Sequence, residues 1–143
     1  MPVQANISNK QSFEVIVQGG NRMIICAGKL DVSLIANDNT ADGTGTIQKE
    51  TFTALIDPQL GAGQFKRALA VASFADIGSF DSDSTQRDGA RWVIEDVQAD
   101  FDDESGQVEL RVSVMVNSMG VGSQANIQGI LFQVTTIASV QGQ

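Results

Sequence analysis

The side chains able to do chemistry in this chain are oxygen donors. Asp100, Asp102, Asp103 and Glu104 crowd one short stretch, and Asp81 and Asp83 form a second close pair. Calcium collects about six to eight oxygens, carboxylates prominent among them. The first group is therefore the candidate metal site, and calcium the candidate ion. The spacing Asp100-x-Asp102-x-Glu104 resembles the start of an EF-hand loop. However, Ser105 stands where that loop needs glycine, and no glutamate closes it at the right distance. The same acids could form the carboxylate pair of a glycoside hydrolase. They fall on expected turns with few aromatics beside them, so solvated turn acids are the simpler reading.

Other chemistry is excluded by residue type. The chain has no histidine, which rules out Ser-His-Asp and Cys-His nucleophiles and the usual zinc sites. Cys26 is the single cysteine and lies in the apolar run Met23 to Ala27. It lacks the cationic neighbour or helix N-terminus that would activate a thiol, and reads as a small core residue. Tyrosine is absent. The glycine pairs at 43 and 45, 61 and 63, and 120 and 122 lack the Gly-Lys-Ser/Thr sequence of a phosphate loop. No catalytic or cofactor-binding residue is expected, and the chain is read as no enzyme.

Charge narrows the partners. Nine basic residues stand against 17 acidic ones, a net charge of -8. Such a chain repels phosphate backbones and anionic membrane surfaces. The first ten residues show no apolar core of a secretory signal, and no apolar run is long enough to span a bilayer as a helix. Synthesis and folding in a reducing cytoplasm are expected, which is compatible with later release in a particle.

The elements that must position these groups read as strands. Of the 17 acids, 12 are Asp, a residue of turns rather than helix interiors. Short Val- and Ile-rich runs alternate with Gly, Asn and Asp, the pattern of a sandwich or barrel. Phe13 to Val17, Met23 to Ala27 (closed by Gly28), Leu30 to Ala36 and Thr46 to Ile56 are expected strands. Phe65 to Ala75 supports two readings: Phe65, Leu69 and Ala72 keep helical spacing, while Leu69, Val71 and Ser73 alternate. Arg91 to Val116 reads as a β-hairpin turning at Asp102 to Gly106. A β-bulge at Glu95-Asp96 would rejoin the phase of Trp92 and Ile94 to that of Val97, Ala99 and Phe101. Ile127 to Ala138 is apolar on both faces, which suits a central strand or one covered by a partner. Asn37 to Gly45 and Asp76 to Gly89 are expected loops.

The fold expected is all-β: one antiparallel β-sandwich or jelly-roll-like barrel over residues 1-143, with a short N-terminal arm of about ten residues and room for one short helix. Two functional classes follow. The first is a structural or assembly protein, such as a capsid, decoration or tail subunit of a viral or phage particle. It would be a homo-oligomer, or a partner of other structural subunits, using its polar loops and termini for contact. The second is a loop-borne carbohydrate- or peptide-binding module, calcium-dependent if the acidic turn binds metal, with Trp92 as its platform if exposed. The phase shared with Ile94 makes Trp92 a core anchor instead.

Overall fold

A computed structural model of the chain describes residues 2–61, 63–80 and 89–140. Eight strands run in order: β1 Val3–Gln4, β2 Asn6–Val17, β3 Asn21–Asn37, β4 Thr46–Ile56, β5 Phe65–Phe80, β6 Gly89–Asp102, β7 Gln107–Met119 and β8 Gln124–Ser139. They form two four-stranded sheets, β1-β4-β7-β6 (sheet 1) and β2-β3-β8-β5 (sheet 2). Consecutive strands repeatedly change sheet: β3 pairs with β8 while β4 pairs with β7, and β5 and β6 flank β8 and β7. The chain is thus wound like a folded double hairpin, the connectivity of Greek-key sandwiches.

Strand alternation builds the core. Val108, Leu110, Val112, Val114 and Val116 of β7 point inward, against Ile127, Ile130, Phe132 and Val134 of β8 and Leu30 of β3. Phe52, Ala54 and Ile56 complete it from β4. Cys26 is buried there, and burial pushes its thiol up. The expected hairpin is β6–β7, with Gly106 at φ 71° in its turn. The register of β6 against β7 shifts between Ile94 and Asp96, so both expected phases face the core.

Several expectations are corrected. Phe65 to Ala75 is strand: it lies within β5, paired to β8, and no helix occurs among the described residues. Pairing is not wholly antiparallel, since β1 runs parallel to β4 through Val3 and Phe52. Gly28 does not end a strand, because β3 runs unbroken past it. A Cβ there would lie 3.0 Å from Ile7 Cγ2 and 3.2 Å from the Phe132 ring, so glycine makes room for the core. Asp76 to Phe80 is strand rather than loop, and 81–88 lie outside the described residues. Of the stretch read as an arm, residues 3–10 run through β1 and the start of β2, where Ala5 and Ile7 pack on the core.

Candidate interaction face

The acidic turn is built for structure. Asp102 accepts hydrogen bonds from the Ser105 hydroxyl (2.6 Å) and the Ser105 N–H (3.2 Å). The Ser105 hydroxyl, with backbone N–H groups of Ser105 and Glu104, holds the Asp102 carboxyl below its ordinary range. Asp100 is exposed on β6 opposite Glu109, and Asp103 and Glu104 are exposed in the turn. Among the described residues, no three acids come together as a metal site. Asp81 and Asp83 lie outside the described residues.

A second acid, read from sequence only as part of a loop, organises the opposite end. Asp38 is buried between the β3–β4 and β7–β8 connections. Its carboxylate accepts hydrogen bonds from the Thr40 hydroxyl, the Thr40 N–H (2.9 Å) and the Gly120 N–H (2.8 Å). Its backbone bonds Ser123 and Gly122. The Thr40 hydroxyl, with the N–H groups of Thr40, Gly120 and Gly45, lowers its pKa against the opposite pull of burial. The pattern Asp38-Asn39-Thr40 was the available signal, an Asx turn. The loop expected as a contact element is therefore tied to its neighbour.

Trp92 anchors the sandwich. Its ring packs partly buried against the core, and its indole N–H donates to the Asn126 carbonyl of the opposite sheet at 2.9 Å. It offers no free aromatic platform.

The two outer faces differ in kind. Sheet 1 presents Lys49, Glu95, Glu109 and Arg111, joined as Lys49–Glu95 (3.3 Å) and Arg111–Glu109 (3.4 Å) ion pairs. Sheet 1 also exposes Ile47, but sheet 2 presents rows that mix several apolar side chains with neutral polar ones. One row reads Phe13, Ile25, Thr135, Leu69 across β2, β3, β8 and β5; the next reads Gln11, Ala27, Gln133, Val71. Val15, Met23 and Ile137 extend the first side and Leu131 the second. Exposure is 59% for Phe13, 44% for Val15, 68% for Leu69, 65% for Val71 and 47% for Leu131. Shallow depressions on this face are lined by Val71, Ser73, Leu131 and Gln133, and by Gln11 and Lys29.

Strand β5 explains how the face arises. Its inward positions are Phe65, Ala68, Ala70, Ala72 and Phe74, all partly buried, while Leu69 and Val71 point out. In the middle of the strand small residues face in and larger apolar ones face out, the reverse of what core packing alone would select. Among the charged residues of the face, the cations Lys29 and Arg67 stand against the anions Asp31 and Asp76. Lys29 bridges Asp76 at 2.7 Å over Gly129, where a Cβ would meet Lys29 Cε at 2.9 Å. Hydrogen bonding to Asp76 raises the Lys29 pKa.

Comparison with protein families, with curated proteins and with solved structures finds no match to the chain.

Proposed function

We propose that the protein is a non-enzymatic structural subunit that assembles with further copies of itself through the outer face of sheet 2. An ordered particle of the capsid, decoration or tail kind, viral or phage, is the class of assembly this reading favours. The observation that carries it is the middle of β5, which exposes Leu69 and Val71 while turning Ala68, Ala70 and Ala72 inward. Contiguous exposed apolar surface on a β-sheet marks an interaction site. The second support is electrostatic. A chain of net charge -8 repels its own copies. Self-contact is least opposed where opposite charges offset one another, and on this face Lys29 and Arg67 stand against Asp31 and Asp76.

The test is the solution mass by size-exclusion chromatography with light scattering, over a concentration series with and without calcium. A discrete oligomer or particle that grows with concentration is expected. A 15.2 kDa monomer throughout would overturn self-assembly and turn attention to the loops as a carbohydrate or peptide site.

A further inference from the structure

We propose that copies also join edge to edge through β2, antiparallel about Ser12, a second contact that fuses their sheets and leaves the combined apolar face for further copies to cover; this rests on the assembly reading above. The two edges of sheet 2 differ. β5 shifts register against β8 at three places, between Phe65 and Arg67, Phe74 and Asp76, and Asp76 and Ile77. β2 shifts register against β3 once, between Ser8 and Gln11, where Lys10 stands, and from there Gln11 to Val17 pair with Ala27 to Asn21 without a shift. Bulges, prolines and charges normally blunt such an edge. Gln11 to Val17 has no bulge or proline, and one charge, Glu14.

This stretch is also uncovered on both faces. Phe13 and Val15 lie on the outer face. On the inner side Ile16 is 64% exposed, because sheet 1 ends in β1, a strand of only two residues. A regular edge with apolar residues on both sides can accept another strand by main-chain pairing.

The charges indicate a second copy as that strand. Lys10 and Glu14 share the inner side of β2, where Lys10 bridges Asp57 and Glu14 meets Arg22 at 3.3 Å. Asp57 raises the Lys10 pKa, so Lys10 stays charged. Both side chains remain accessible, at 43% and 41%. They stand symmetrically about Ser12. Antiparallel pairing about Ser12 sets Lys10 opposite Glu14 of the partner subunit, and two-fold symmetry repeats the pair. Pairing about Glu14 would instead oppose two carboxylates, and opposed like charges destabilise a sheet.

The test is a pair of charge reversals, Lys10→Glu and Glu14→Lys, each measured by sedimentation velocity over a concentration series. Each reversal turns two attractive cross-strand pairs into repulsive ones. Each variant alone should then associate about ten-fold more weakly than the unaltered chain. An equimolar mixture of the two restores both pairs, so association should recover. Lys10→Gln, which removes charge without reversing it, should give a smaller loss and serves if a reversal prevents folding; thermal melts by circular dichroism report that. Oligomers that form equally in every variant would overturn the pairing and leave the assembly reading standing. Weakened variants whose mixture fails to recover would also overturn it. An unaltered chain that stays monomeric would overturn both.

Discussion

Replacing Leu69 and Val71 together by serine separates an interface from a core. In the isolated subunit these residues are 68% and 65% exposed. Full burial of a Leu or Val side chain contributes about 1.5–3 kcal/mol. Roughly one third of that is realised within the subunit, so the double variant should cost it about 1–2 kcal/mol. The remaining two thirds are available only to a partner, about 2–4 kcal/mol for the pair. Losing that should weaken association roughly 30- to 1000-fold. Two assays read the two quantities: urea unfolding followed by circular dichroism for stability, and sedimentation equilibrium for association. The reasoning is refuted if association is unchanged while stability falls by the whole amount. Leu69 and Val71 would then be serving the subunit's own fold.

Other expectations follow from the same structure. Leu110→Ala, at a fully buried position of β7, should destabilise the subunit by about 2–5 kcal/mol in urea unfolding, since no neighbour can fill the space. Gly28→Val should cost about 1–3 kcal/mol by the same assay, because its side chain would press on Ile7 and Phe132. Acid should loosen the Asp38 and Asp102 turns. Their folded pKa values lie below the ordinary 3.8, so the stability they give is complete above that value and lost as pH falls through the folded pKa. Asp38→Asn should flatten the acid limb of a melting-temperature profile and speed hydrogen exchange at Gly120; an unchanged limb would show that other carboxylates set it.

Much of the fold was legible because the dominant signals are local. Alternation in Gln107 to Val116 places its valines inward whatever the partner strand, and Gly106 marks the turn. The bulge near Glu95 showed itself as a break in phase. Phe65 to Ala75 was ambiguous for a physical reason. The register shift between Phe65 and Arg67 puts Phe65 and Ala72 on the same inward side, seven residues apart as on a helix face, while Leu69, the third member of that spacing, points outward. The break at Gly28 misled because glycine serves turns and close approach alike, and only the Phe132 ring distinguishes them.

The interaction face was half legible. Apolar residues on both sides of β8 announced either a central position or a covered face; β8 is central in sheet 2, and Leu131 stands exposed on its outer side. In the middle of β5 the alternation of Leu69, Val71 and Ser73 left open which side turns inward, and Ala68, Ala70 and Ala72 occupy it. Which phase of such a strand turns inward depends on the opposing sheet, and that is not written in the strand itself. The structural roles of Asp38 and Asp102 were available as Asx-turn spacings to Thr40 and Ser105.

The central claim, that the outer face of sheet 2 is where subunits meet, is tested most directly by hydroxyl-radical footprinting at low and high protein concentration. Phe13, Leu69 and Leu131 should lose reactivity as concentration rises, while Met119, exposed at the end of β7 in sheet 1, should stay reactive. Protection spread evenly over the chain, or confined to sheet 1, would contradict the account.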